Sequence, residues 1–154
     1  MTVYLGLGTN IGDRRLNLTR AIELLSLALG KCIAVSRFIE TAPWGFESSN
    51  SFLNCAAAFE TELQPTELLD TTESIERELG RTVKSQGGNY SDRIIDIDIL
   101  IYGDEIIETE RLTIPHPLMH KRDFVLQPLA EIAPDVVHPV LDKSIILLLK
   151  ELAQ

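Results

Sequence analysis

Residues 93–100 read RIIDIDIL. Five of the eight are isoleucine or leucine, the composition of a buried strand, yet Asp96 and Asp98 stand in the middle of it. A buried carboxylate is costly unless something neutralises it. Alternate side chains of a strand share a face. Ile95, Ile97, Ile99 and Ile101 are therefore expected on an apolar, helix-covered side. Asp96 and Asp98 are expected together on the other, flanked by Ile94 and Leu100. Two strand residues rise roughly 6–7 Å, at ~3.3 Å each, so both carboxylates can lean onto one cation or onto a close pair. Oxygen-only ligands favour a hard ion, Mg²⁺ first, and a metal relieves the repulsion between the two charges. The plainer alternative is that both aspartates pair with arginines on a solvated sheet face. The flanking isoleucines and the basic loop ahead of the strand favour the metal.

Outward from this strand the chain alternates regularly. TVYLGLG at 2–8 is a predicted strand, followed by a helix over 16–30 whose stripe is Leu18, Ile22, Leu25 and Leu29, with Gly30 as its stop. CIAVSRFIE at 32–40 is a second strand and FLNCAAAFETEL at 52–63 a third, separated by the Pro-, Gly- and Ser-containing loop 41–51. Pro65 opens a second helix over 65–80, with Leu68, Leu69, Thr72, Ile75 and Leu79 inward and Gly80 at its end. The aspartate strand is the fourth, YGDEII turns into a short extra strand, and two more helices follow at about 122–132 and 143–152. Strand, helix, strand, strand, helix, strand is the split βαβ plan. The predicted fold class is α+β: a ferredoxin-like βαββαβ core with a mainly antiparallel sheet, and extra C-terminal helices on the other face, giving αβα layers. What those helices leave open is a cleft. The whole chain, 1–154, reads as one domain.

Composition limits the partners. A length of 154 residues suits one core. The net charge of −9 argues against a broad nucleic-acid surface. There is no apolar run long enough to span a membrane and no signal-peptide pattern at the start, so a cytoplasmic protein is expected. Cys32 and Cys55 belong to no metal or redox motif. A monomer or weak homodimer is expected.

Other residues point to the same face as the aspartates. In FLNCAAAF, Leu53, Cys55, Ala57 and Phe59 suit the core. Phe52, Asn54, Ala56 and Ala58 are then left on the open side, offering a ring to stack on and an amide that matches the edge of a heterocycle. Basic residues cluster locally: Arg81, Lys84 and Arg93 around the 81–92 loop, then His116, His120, Lys121 and Arg122. Guanidinium groups beside an acidic metal site suit a polyphosphate. GLGTNIGD at 6–13 matches neither the dinucleotide fingerprint nor a P-loop. Asp13 reads as the cap of the first helix, and Gly8 and Gly12 as shapers of the turn.

These residues resemble a known family. GLGTNIGD, TAPWG, FLNCA, IERELGR, DRIIDIDIL, LTIPHP and RDFVLQPLAEIAP, in this order, are similar to the motifs of 6-hydroxymethyl-7,8-dihydropterin pyrophosphokinases, over essentially the whole chain. The resemblance implies transfer of the pyrophosphoryl group of ATP to the pterin hydroxymethyl group, releasing AMP, in folate biosynthesis. It implies that Asp96 and Asp98 bind two Mg²⁺ ions bridging the ATP phosphates, and that Arg81 and Arg93 act with them in catalysis. Glu76, Lys84, Arg111, Thr113, His116 and Arg122 match the nucleotide side. Phe52 and Phe124 match the two rings that sandwich the pterin, and Thr41, Pro43, Trp44, Asn54 and Tyr90 its remaining surroundings. The chain departs from the pattern at Val83, where a basic residue is common, and at Asn89–Tyr90, where a basic residue and tryptophan are common.

Two rivals use the same residues: a two-metal phosphoesterase, and a ligand-binding module without catalysis on the same fold. The loop 81–92, long and polar with Gly87–Gly88, is expected to act as a lid over the phosphates.

Overall fold

The computed structural model describes residues 1–41, 51–80 and 94–154. The expected lid, 81–92, and the 42–50 stretch lie outside them.

The central sheet is antiparallel and has five strands: β1 (Thr2–Thr9), β2 (Cys32–Val35), β3 (Ile39–Thr41), β4 (Phe52–Glu60) and β5 (Asp96–Tyr102). Its order is β2–β4–β1–β5, and β3 shares with β2 the outer side of β4. That is the ferredoxin-like order, with the single strand expected at 32–40 broken in two. The break is at Ser36, whose peptide N–H donates to Ala56 O while its hydroxyl accepts from Ala56 N, both at 2.9 Å. The side chain thus stands in for a backbone carbonyl, and the edge turns without losing its pairing.

Helices α1 (Arg14–Leu29) and α2 (Pro65–Gly80) cover one face. Asp13 caps α1 by accepting from Leu16 N. At the other end Gly30 adopts φ +136° with its Cα against the Glu60 carbonyl, where a Cβ would clash at 2.4 Å. Leu18, Leu25, Leu68 and Ile75 meet Val3, Leu5, Leu7, Phe59, Ile97 and Ile99 in the larger core. Helices α3 (Asp123–Ile132) and α4 (Ile145–Leu152) cover part of the opposite face, building a second core from Leu126, Leu129, Ile145, Met119, Ala56 and Leu100. Three αβα layers result, as expected. The short extra strand expected after YGDEII is β6 (Ile107–Glu108), which pairs with β7 (Thr113–Ile114); sequence periodicity reveals neither β7 nor the hairpin of β8 (Val137–His138) with β9 (Lys143–Ser144).

The alternation expected along 94–101 fails at two places, one inside β5 and one ahead of it. Ile101 sits in the second core, not beside Ile99. The reason is a bulge: Tyr4 pairs with Ile101 and Leu5 with Ile99, so Leu100 is an extra residue and both Leu100 and Ile101 face α3 and α4. Ile94, expected beside the aspartates, precedes the strand and lies in the first core.

Candidate active site

The open end of the second face is built from three adjacent strands. Gly8 of β1 stands opposite Asp96 of β5 on one side and Asn54 of β4 on the other. One step along, Gly6 stands between Asp98 and Ala56. Neighbouring strands lie about 4.8 Å apart, so the carboxylates and the Asn54 amide face each other over roughly 10 Å. Over Gly8 lies the Asn54 amide itself, and over Gly6 the buried Leu100 side chain. Among the described residues the result is a trough with an acidic wall, a low floor and an amide wall.

Each wall is braced. Glu76 on α2 reaches the exposed edge of β5, where its carboxylate accepts from Ile97 N at 2.8 Å, the peptide between the two aspartates. Asn54 is buried, 7% exposed, and its Nδ2 donates to Thr41 Oγ1 at 3.0 Å. Thr41 pairs across to Phe52, which is half-buried at the lip. Arg14, at the start of α1, donates to Ser51 O and Oγ and to Glu40, fastening the ends of β3 and β4 together.

The Pro-bounded turn supplies the third side. The peptide N–H of His116 donates to Leu100 O at 3.0 Å, which fixes the residue beside β5. Its Nδ1 accepts from Leu118 N at 3.2 Å, so Nε2 is the nitrogen that can meet a ligand. Burial pushes the imidazole below its ordinary range, with the Asp98 charge opposing and Arg122 adding to the shift. His116, Asp98 and Arg122 are therefore within electrostatic reach of one another. The Arg122 guanidinium lies over the Phe124 ring, 5.7 Å from its centre.

Of the residues singled out in the sequence, the structure gathers Asp96, Asp98, Glu76, His116, Arg122, Phe124, Asn54, Thr41 and Phe52 around this end of the sheet. Arg111 is held by Asp70 (2.8 Å) and Glu73 (3.0 Å) on α2, and Thr113 pairs with Glu108 in the β6–β7 hairpin. Arg81, Lys84, Arg93, Pro43, Trp44 and Tyr90 lie outside the described residues. Sequence reasoning missed the floor. It included Gly8 in the 2–8 strand but read it as a shaper of the turn, whereas the turn's positive φ (+68°) belongs to Gly12. The signal was present in LGLG, where two glycines two apart leave one face of a strand empty.

A family model described as 7,8-dihydro-6-hydroxymethylpterin-pyrophosphokinase (HPPK) matches residues 4–134. The chain is 51% identical over 138 residues to the 2-amino-4-hydroxy-6-hydroxymethyldihydropteridine pyrophosphokinase of Porphyromonas gingivalis, covering 89% of this chain and 93% of that protein. It is 45% identical to the protein of the same name from Aquifex aeolicus, covering 94% and 88%. Among solved structures, a triple mutant of Plasmodium falciparum HPPK-DHPS superposes with a TM-score of 0.79 at 20% identity. That match covers 97% of this chain and 43% of the longer one, and it supports the fold alone.

Proposed function

Because the chain belongs to the 7,8-dihydro-6-hydroxymethylpterin-pyrophosphokinase family, we propose that the trough between β5 and β4 is where its two substrates meet. The reaction transfers the pyrophosphoryl group of ATP to 6-hydroxymethyl-7,8-dihydropterin, a step of folate biosynthesis. The observation that carries the assignment is the row Asp96–Gly8–Asn54: a carboxylate and a buried amide facing each other over a residue without a side chain.

On this reading the phosphate side is the β5 wall and the pterin side the β4 wall. Asp96 and Asp98 fit a hard divalent cation: both are oxygen donors on alternate positions of one strand, and the residue opposite Asp96 is a glycine with no side chain to crowd it. Among the described residues no cluster of three or more His, Cys, Asp or Glu side chains could hold a metal. Two carboxylates on one strand suit a cation that keeps its other positions for substrate and water, as Mg²⁺ held with ATP does. Two such ions, when bound, would screen the phosphate charge and make the β-phosphorus easier to attack. His116 Nε2 and the Arg122 guanidinium donate to the triphosphate, with Arg81, Lys84 and Arg93 completing that side. Arg111 and Thr113 belong to the nucleotide end. Asn54, Thr41, Pro43, Trp44 and Tyr90 surround the pterin, and Phe52 and Phe124 stack on it. Together these groups bring the hydroxymethyl oxygen into line with the β-phosphorus, and AMP leaves; most of the rate comes from positioning and charge.

A cytoplasmic monomer or weak homodimer that binds no nucleic acid belongs to the same reading, supported by two free thiols and a net charge of −9. Among the described residues no helix is long and apolar enough to cross a membrane. AMP formation from ATP, followed with and without the pterin, tests the assignment. Release that depends on the pterin is expected; equal release without it would favour a phosphoesterase.

A further inference from the structure

We propose that Gly8 is a positioning residue for pterin recognition: the space where its side chain would be holds the Asn54 carbonyl oxygen in place. The inference rests on the assignment of Asn54 to the pterin side.

Gly8 has no conformational reason to be glycine. It lies within β1, and its φ is not among the positive values found at Gly12, Gly30 and Gly103. An alanine could adopt the same backbone. The constraint is steric and comes from one side chain. A Cβ built at Gly8 stands 2.7 Å from Asn54 Oδ1 and 3.8 Å from Asn54 Cγ, with no other described atom outside its chain neighbours within 4 Å.

The amide has little freedom to retreat. Asn54 is 7% exposed, and its Nδ2 is bonded to Thr41 Oγ1 at 3.0 Å. A methyl group at position 8 therefore turns the amide and breaks the Thr41 bond. The two glycines of the floor are not equivalent. A Cβ at Gly6 would meet Leu100 Cδ1 at 3.4 Å, an ordinary contact with the end of a flexible side chain. Gly6→Ala is thus an internal control on the same face of the same strand.

The experiment measures binding of 6-hydroxymethylpterin and of a non-hydrolysable ATP analogue by calorimetry, each alone, for the wild type, Gly8→Ala, Gly6→Ala, Asn54→Ala and Gly8→Ala/Asn54→Ala. Losing one buried hydrogen bond and misplacing its partner is expected to weaken pterin binding about tenfold or more in Gly8→Ala. The ATP analogue should bind as before, and Gly6→Ala should stay close to wild type. In the Asn54→Ala background Gly8→Ala should add almost nothing, because the group it displaces is gone. A Gly8→Ala variant that binds pterin like wild type overturns the proposal, as does one that weakens Asn54→Ala by a further tenfold. If Gly8→Ala fails to fold, Asn54→Ala should restore folding; a double variant that stays unfolded places the clash elsewhere. The Asn54 side-chain amide resonances give a readout that needs no ligand. They should move in Gly8→Ala and not in Gly6→Ala, and unmoved resonances sink the proposal. A wild type that binds no pterin refutes the functional assignment, while these resonances still decide whether Gly8 holds the amide.

Discussion

Replacing Asp96 or Asp98 by asparagine keeps the outline of the side chain and removes one charge. The fold should be retained and turnover should fall by about 10²–10³, the usual cost of one preorganised electrostatic group. Steady-state assays at ordinary Mg²⁺ with circular dichroism as the folding control check this; near-normal turnover in either variant would contradict the metal assignment. On the opposite wall, Phe52→Ala should weaken pterin binding by about 2–4 kcal/mol through lost burial and stacking, and leave ATP binding nearly unchanged. Equal losses for both ligands would mean that the walls are not divided as assigned. All three residues could be singled out in the sequence because each contradicts its surroundings: charges in an apolar strand, an aromatic ring on the face the core does not need. Gly8 was legible only as half of the LGLG spacing; that it faces the Asn54 amide was not, because pairing across strands is not written in the spacing. Cys55 was legible as a core residue, and the structure buries it. Burial pushes its thiol up to about 12, so it behaves as a core atom and not as a nucleophile.

At the scale of elements, the helices follow from their stripes and caps, but the ends and breaks of strands do not. The bulge at Leu100 and the Ser36 break depend on which residues lie opposite them, which periodicity does not encode. The β8–β9 hairpin escapes for another reason: it is two residues wide and is organised by His138 rather than by a repeat. His138 is 4% exposed, its Nδ1 accepts from Val140 N and Leu141 N, and its ring meets that of His120 edge-on at 6.2 Å. Burial first, and the His120 charge second, push it below the ordinary imidazole value. The folded state thus binds this proton less readily than the unfolded chain. Stability is therefore unaffected at neutral pH and declines as pH falls below about 6.5, until the lower folded-state value is passed. Urea midpoints measured from pH 8 to pH 5 should show that decline. His138→Asn, which keeps an acceptor for the two peptides and cannot titrate, should flatten it; an unchanged slope would assign the effect to other groups.

In the whole molecule the sheet separates two cores of unequal size, and only the smaller one adjoins the trough. Leu126→Ala empties a fully buried position in that smaller core. It should cost about 2–5 kcal/mol, and because α3 also carries Phe124 it should loosen pterin binding in the protein that remains folded. Leu25→Ala, in the larger core, should cost a similar amount of stability while leaving ligand affinity in the folded fraction unchanged. Parallel melts and titrations would distinguish them; equal effects on affinity would mean that the site draws on both cores alike. The overall architecture was legible because element order alone restricts it. Which core supports the site was not, since that depends on where α3 lands. The position of β5 at the rim of the sheet has one further consequence. DIDILIY is the kind of short, β-prone stretch that recruits other chains into fibrils when its edge is bare. Here Glu76 occupies the outward peptide of Ile97, the His116 peptide occupies that of Leu100, and two like charges face any incoming copy. The carboxylates proposed to hold the cation are thus also placed to act as gatekeepers against aggregation. Neutralising both at once should lower the yield of soluble protein well below that of either single asparagine variant.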